Sequence, residues 1–157
     1  MAEGFRRGVR LALDWGQARI GVAACDADGL LCFPVETVAA RPDPAARLAV
    51  LIEDYQPIEV IVGLPRTLQG GEGVAAATVR EQVAAALPAS APLRFVDERL
   101  STVTASRQLR GAGRSARRQR AIIDQAAAVA ILEQALAFER STGEPPGVPA
   151  RPHREDQ

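Results

Sequence analysis

Three carboxylates in this chain stand in contexts that favour divalent-metal chemistry. Asp14 and Glu98 each end a strand-like segment, and Asp124 lies among isoleucines and alanines in a helix-like segment. Carboxylate oxygens and water are the ligands that Mg²⁺ and Mn²⁺ prefer. Two such ions about 3.5–4 Å apart can activate a water and stabilise the leaving oxygen in phosphodiester hydrolysis. Asp14, Glu98 and Asp124 are therefore candidate metal ligands and candidate catalytic residues.

Each of these acids also fits a structural role. An aspartate at a strand end is often a turn or capping residue, and Glu98 has Arg99 beside it as a local ion-pair partner. Asp124 could pair with Arg120 one helical turn earlier, a contact worth only about 0.3–0.5 kcal/mol if exposed. Taken singly, each acid is closer to the structural role than to the catalytic one.

A cluster of arginines provides a complement to phosphate on a chain whose formal net charge is zero. Six arginines fall within fourteen residues that contain no acid: Arg107, Arg110, Arg114, Arg117, Arg118 and Arg120. We expect these residues, together with Arg19, to contact a nucleic-acid backbone in a salt-sensitive way that reads little sequence. A solvated basic face, and for Arg19 an ion pair with an acid, are the structural alternatives.

The composition excludes several kinds of chemistry. The only histidine is His153, near the end of the chain, so the chain has no histidine for a Ser-His-Asp or Cys-His nucleophile system inside the fold. The same observation argues against a zinc site with imidazole ligands. The first residues resemble no signal peptide, and no apolar run reaches the roughly 18–20 residues of a membrane span. We expect a cytoplasmic protein.

The two cysteines, Cys25 and Cys32, lack metal-site spacing. A two-residue hairpin turn at Asp28-Gly29 would pair residues whose numbers sum to 57, which places the two cysteines opposite each other. Reduced packing residues are the favoured interpretation, and a disulfide stays open.

Hydrophobic periodicity predicts one domain with nine elements. The predicted strands span 9–14, 20–25, 30–38, 58–63 and 93–98, and the predicted helices span 43–55, 74–87, 101–110 and 117–140. This order predicts an α/β fold with a mixed five-stranded sheet, an antiparallel meander plus two parallel strands, and helices on both faces. Residues 1–141 form the predicted domain, and 142–157 read as a disordered tail.

The motifs resemble those of the YqgF family, also called RuvX-type Holliday junction resolvases or pre-16S ribosomal RNA nucleases. The opening segment 13–23, Leu-Asp-Trp-Gly-Gln-Ala-Arg-Ile-Gly-Val-Ala, is similar to the family's Asp-x-Gly-x-x-Arg-Ile-Gly-Val-Ala. Val62–Pro65, Asp97–Thr102, Asp124-x-Ala126-Ala127 and Ile131-Leu132 continue the likeness over roughly residues 8–140. The segment 66–73 departs from the family's Asn and Asp-Gly, and Cys25-Asp26 stands where Ser-Asp is usual.

The resemblance implies an RNase H-like fold and a nuclease that uses Mg²⁺ or Mn²⁺ held by Asp14, Glu98 and Asp124. It implies processing of the 5′ end of pre-16S ribosomal RNA in ribosome biogenesis, with cleavage of branched DNA, such as a Holliday junction, as the alternative. A non-catalytic nucleic-acid-binding module of the same fold is a further alternative, and an ATP-handling lobe is disfavoured because a second lobe is absent. We expect structured RNA as partner, with branched DNA as the second option and no membrane. Both a monomer and a homodimer stay open.

Overall fold

The computed structural model describes residues 4–65, 73–97 and 116–150, with side chains in the last range from Arg118 onward. The strands are β1 (Arg10–Trp15), β2 (Arg19–Cys25), β3 (Cys32–Ala39), β4 (Glu59–Leu64), β5 (Leu93–Asp97) and β6 (Val148–Pro149). The helices are α1 (Ala45–Tyr55), α2 (Val74–Ala86) and α3 (Ala116–Thr142). The predicted helix over 101–110 lies outside the described residues.

The sheet is mixed, as the element order predicted. Its strand order is β3-β2-β1-β4-β5-β6. The β1/β2 and β2/β3 pairs are antiparallel, whereas the β1/β4 and β4/β5 pairs are parallel. An antiparallel meander and two parallel strands therefore make up the first five strands.

The described part of the chain forms a sheet of six strands, whereas the sequence predicted five. Strand β6 pairs antiparallel with β5 in the segment that composition assigned to a disordered tail. The Ala150 amide donates to the Leu93 carbonyl at 2.8 Å, and the Arg94 guanidinium donates to the Pro146 carbonyl at 3.1 Å. These tertiary contacts stabilise a segment that has little hydrophobic periodicity of its own. Residues 151–157 lie outside the described range.

Alternation along the strands sends side chains to two separate cores. Leu11, Leu13, Val60 and Val62 pack against α1 and α2 on one face. On the other face, small and branched residues of the sheet pack against α3: Ala12, Ala23, Ile61 and Val96. The alanines on this second face let a long helix lie close to the strands. Helices thus cover both faces, as predicted.

Helix α3 is long and apolar enough over Arg118–Thr142 to span a bilayer by length and composition alone. In this fold Ala128, Ile131, Leu132 and Leu136 are buried in the core that α3 forms with the sheet. A long helix of a folded core meets the same two criteria, so these criteria carry little weight for this helix.

Charged side chains form a buried network where β1, β4 and β5 begin. Glu139 of α3 accepts hydrogen bonds from Arg6 at 2.8 Å and from Arg10 at 3.0 Å. Glu59 accepts from Arg6 at 2.9 Å and from Arg94 at 2.8 Å. Burial raises the pKa of Glu139, but hydrogen bonds from Arg6 and the charge of Arg10 lower it more, so the net shift is downward. The network ties the C-terminal half of α3 to the sheet.

The cysteine register is confirmed, although the turn between the cysteines differs from the predicted one. Cys25 pairs with Cys32 across the β2–β3 hairpin, and both thiols are free. The Gly29 amide donates to the Asp26 carbonyl at 3.0 Å, and Gly29 adopts a φ of 68° that favours glycine. The Asp26 carboxylate also accepts from the Leu30 and Leu31 amides, at 2.8 and 3.0 Å, so the loop is longer than two residues.

Candidate active site

Asp14 projects from the sheet on the face covered by α3. It lies directly opposite Gly21 in the antiparallel β1/β2 ladder. Residues two apart in a strand share a face, and Ala12, two residues before Asp14, packs in the core formed with α3. The half-buried Asp14 side chain therefore lies near the carboxyl end of β1, on the α3 side.

Asp124 lies on α3 directly above Gly21. A Cβ atom built on Gly21 would overlap the backbone carbonyl of Asp124 and come within 3.0 Å of its Cβ. The helix can therefore approach β2 this closely only because residue 21 has no side chain. Gly21 is also the ladder partner of Asp14. Asp14 and Asp124, the first and last of the predicted acids, are therefore both neighbours of Gly21.

Arg19 holds the Asp124 carboxylate. The Nε of Arg19, the first residue of β2, donates to Oδ2 of Asp124 at 2.8 Å. The Arg19 side chain is 37% exposed and that of Asp124 only 16%. This ion pair satisfies the largely buried acid, whose burial would otherwise be costly. Of the two alternatives for Arg19, the structure shows the pairing with an acid.

Thr37 is a site-forming residue that the sequence interpretation missed. Its hydroxyl donates to the Ala121 carbonyl at 2.9 Å and accepts from the Gln125 amide nitrogen at 3.0 Å. Ala121 and Gln125 are on α3, on either side of Asp124 in sequence, while Thr37 is on β3. These contacts fix the helix against the meander. No local pattern distinguishes this threonine from any other strand threonine.

A basic cavity lies beside the Arg19–Asp124 pair. It has a volume of about 470 Å³ and is lined by Ala18, Arg19, Thr37, Ala39, Arg120 and Ala121. Among the described residues, two arginines and a threonine line it, and none of the lining residues is acidic. Such a cavity is electrostatically suited to an anionic oxygen-rich group such as a phosphate.

Several predicted residues cannot be located relative to this site. Glu98, Arg107, Arg110 and Arg114 lie outside the described residues, and Arg117 is described only as backbone within α3. Arg118 and Arg120 lie near the start of α3. Within 4–65, 73–97 and 116–150, no group of three or more acids, histidines or cysteines is gathered for a metal. Of the three predicted ligands, Asp14 and Asp124 fall within the described residues.

Comparison with known proteins identifies the family of this chain. A family model described as RuvX, Holliday junction resolvase, matches residues 8–138. The chain belongs to the RuvX family. That match includes all three predicted acids and every described element except β6 and the end of α3.

Relatives of this RuvX-family protein are similar over nearly their whole length. A protein of Streptomyces coelicolor is 60% identical over 147 residues, covering 91% of this chain and 88% of the relative. A protein of Cutibacterium acnes is 57% identical over 132 residues, covering 82% of each chain. Both carry the name pre-16S rRNA nuclease, as a provisional assignment.

A solved structure shows the same fold at low sequence identity. The structure of T. thermophilus RuvC in complex with a Holliday junction substrate superposes with a TM-score of 0.52 at 17% identity. The superposition covers 90% of the RuvX-family chain and 99% of RuvC. The fold is RNase H-like, as the sequence resemblance implied.

A second cavity in the RuvX-family chain lies on the opposite side of the β1 end. This groove has a volume of about 740 Å³, and its polar lining residues are Gln17, Arg41, Asp43 and Gln82. Trp15, the residue after Asp14, forms part of its wall, together with Ala40, Ala85 and Ala86. Because consecutive strand residues point to opposite faces, Trp15 faces away from the α3 side. The α1–α2 side of the sheet edge therefore has its own concave surface.

Proposed function

We propose that this protein is a divalent-metal-dependent nuclease that hydrolyses phosphodiester bonds, with Asp14, Glu98 and Asp124 as metal ligands. The proposal is supported by the position of Gly21, which pairs with Asp14 in the β1/β2 ladder and lies against the backbone of Asp124, near the carboxyl end of β1. In α/β sheets this edge is where sites are built. Glu98 follows β5 directly in sequence, and Val96, two residues earlier, packs on the α3 face.

The donor set fits Mg²⁺ or Mn²⁺. The proposed ligands are all carboxylates, and hard divalent cations prefer such oxygen ligands. When bound, the ions would supply activation of water and stabilisation of the leaving oxygen. Asp124 is already oriented by Arg19, whose Nε lies 2.8 Å from its carboxylate. Because Gly21 has no side chain, the Asp124 backbone can lie directly against β2 beside the ladder partner of Asp14.

The arginines would bind and orient the nucleic-acid backbone. Arg19 and Arg120 line the basic cavity next to Asp124, and guanidinium groups bind phosphate through paired N–H donors. The remaining predicted arginines, from Arg107 to Arg118, would extend this contact. Backbone contacts of this kind release counterions, so affinity should fall steeply as salt rises.

We propose the 5′ end of pre-16S ribosomal RNA as the substrate, and hence a cytoplasmic role in ribosome biogenesis. The names of relatives at 57–60% identity support this choice. The family description favours a second candidate, a Holliday junction or another branched DNA. Symmetric cleavage of such a junction would need two active sites, hence a homodimer, whereas RNA trimming would not.

A side-by-side cleavage assay tests these proposals. The substrates are an RNA spanning the 5′ end of 16S ribosomal RNA, single-stranded DNA and a four-way DNA junction, each with Mg²⁺ or Mn²⁺ and with EDTA. Asp14→Asn, Glu98→Gln and Asp124→Asn should each abolish cleavage. Asp28→Asn is the matched control, because Asp28 is an exposed acid paired with Arg7 in the β2–β3 turn region. Full cleavage by Asp14→Asn or in EDTA would contradict the mechanism, and preferential junction cleavage would favour the second substrate.

A further inference from the structure

We propose that the groove beside Trp15 binds one unstacked base of the nucleic-acid strand, an inference that rests on the nuclease function proposed above. The groove volume, about 740 Å³, lies within the range of small-ligand sites, about 300–1,000 Å³. It combines an indole wall with two side-chain amides, Gln17 and Gln82, and two alanines from α2. A flat ligand with hydrogen-bonding edges, such as a nucleobase, matches this lining.

The charged residues that line the groove favour a neutral ligand over a phosphate because their charges balance. Arg41 and Asp43 contribute one charge of each sign. The Asp43 carboxylate accepts from the Ala45 amide at 3.0 Å, at the start of α1. By contrast, the described lining of the cavity on the other side of the sheet edge has two arginines and no acid. The two cavities would therefore bind different parts of a nucleotide: the phosphate beside Arg19 and Arg120, and the base beside Trp15.

Trp15 is held in a way that suits a stacking platform. Its indole Nε1 donates to Oε1 of Gln82 at 2.9 Å, which links the end of β1 to α2. The ring also packs partly against the core between the sheet and helices α1 and α2. An aromatic ring fixed at its edge and along one side loses little entropy when a base stacks on it. Stacking on an aromatic ring is tolerant of base identity.

The position of Trp15 next to Asp14 explains why a substrate strand would reach the groove. Asp14 and Trp15 are consecutive residues whose side chains point to opposite faces of the sheet. A strand lying across the carboxyl edge of β1 could place a phosphate on the α3 side and a neighbouring base on the other side. An unpaired nucleotide is needed for this, because a base within a duplex is not free to turn outward.

The groove can be tested by fluorescence because Trp15 is the only tryptophan in the chain. Short single-stranded RNA is titrated into the wild-type protein in EDTA and, separately, in Ca²⁺, while anisotropy of a labelled RNA reports total binding. We expect quenching of the Trp15 emission that follows the anisotropy curve. Trp15→Leu should weaken RNA binding about 5- to 150-fold, the range for loss of one base–aromatic stack. Trp15→Phe should retain most of the affinity, and Phe138→Leu, at an exposed aromatic of α3, is the matched control.

A double-mutant cycle separates stacking from a structural effect of Trp15. RNAs that are abasic at one position at a time are compared in the wild type and in Trp15→Leu. One abasic position should weaken wild-type binding as much as Trp15→Leu does, and the two losses should not add. Two results would contradict base binding in the groove while leaving the proposed nuclease activity intact. One is RNA that binds and is cleaved without quenching the Trp15 emission, and the other is affinity losses that add at every abasic position. If the protein neither binds nor cleaves RNA, both the proposed nuclease function and the proposed base binding in the groove are wrong.

Discussion

Arg19 and Asp124 form an ion pair, with Nε and Oδ2 at 2.8 Å, that joins the first residue of β2 to helix α3. The two residues are 105 positions apart in sequence. The carboxylate that Arg19 holds is also one of the proposed metal ligands. A guanidinium and a divalent cation would therefore compete for, or share, the same oxygens.

Removing the Arg19 charge should strengthen metal binding and weaken RNA binding at the same time. We expect Arg19→Ala to lower the Kd for Mn²⁺ about threefold to tenfold, where tenfold corresponds to about 1.4 kcal/mol. RNA affinity should fall because a phosphate contact is lost. Isothermal titration with Mn²⁺ and anisotropy with RNA measure the two effects. Arg19→Lys, which keeps the charge, should leave the Mn²⁺ affinity near that of the wild type. Weaker Mn²⁺ binding by Arg19→Ala would show that the arginine orients Asp124 more than it competes for it.

Gly21→Ala should destabilise the protein and displace α3. The added Cβ would overlap the Asp124 carbonyl and approach its Cβ, and neither backbone can yield without moving the helix. Overpacking of this kind costs about 1–3 kcal/mol, occasionally more. Urea unfolding measures the loss, and Mn²⁺ affinity reports the displacement of Asp124 from Asp14. Wild-type stability in this variant would show that α3 does not lie against β2 as described.

Breaking the buried charge network should cost far more than breaking an exposed ion pair. Glu139→Gln leaves Arg10, whose side chain is 0% exposed, without its charged partner. We expect a loss of about 3–5 kcal/mol in the free energy of unfolding. Glu36→Gln is the matched control because its pair with Arg47 is partly exposed, and its loss should stay within about 1 kcal/mol. Similar losses in the two variants would contradict the buried network.

Glu139 should also make the protein sensitive to acid. Because its pKa in the folded state lies below the ordinary value of 4.5, folding favours the charged carboxylate. Its stabilising contribution is complete above the unfolded-state pKa and is lost as the pH falls through the lowered folded-state value. Urea unfolding from neutral pH to about pH 3 should therefore show the stability gap between wild type and Glu139→Gln narrowing on acidification. A gap that stays constant over this range would count against the charged network.

The two thiols should react slowly in the folded protein. Burial, together with the charges of Cys25, Glu133 and Asp26, raises the pKa of Cys32 to about 12 from 9.0. Burial also raises the pKa of Cys25, whose sulfur accepts from the Arg10 amide at 3.3 Å. Since the thiolate is the reactive form, iodoacetamide at mildly alkaline pH should modify the native protein far more slowly than the urea-unfolded protein. Mass spectrometry counts the modified sites. Equal rates of modification in the folded and unfolded protein would contradict the protection of the thiols by the fold.

Local patterns were sufficient to predict most of the secondary structure. Alternation located β1, and short apolar segments located β2, β4 and β5, each to within about two residues. Strand β4 is buried at all six positions, as a continuous apolar run predicts for a central strand. The predicted two-residue turn correctly paired Cys25 with Cys32 because the longer loop that forms has the same midpoint, between Asp28 and Gly29. It failed beyond Ala23, where a bulge shifts the ladder so that Val22 faces Glu36. A bulge depends on how the strand bends over the core, which the local sequence does not encode.

The sequence by itself determined which groups are present: three carboxylates in family motifs, a single histidine at position 153, and an arginine-rich segment without acids. Residue chemistry and short-range periodicity are local properties, so they can be read along the chain. Only the tertiary structure decided that Gly21 lies beneath Asp124, that Arg19 pairs with it, and that Thr37 holds α3. These contacts join residues 84 to 105 positions apart in sequence. They form only when helix α3 packs against the sheet at the right distance. That distance is set by packing of the whole domain and not by any one segment.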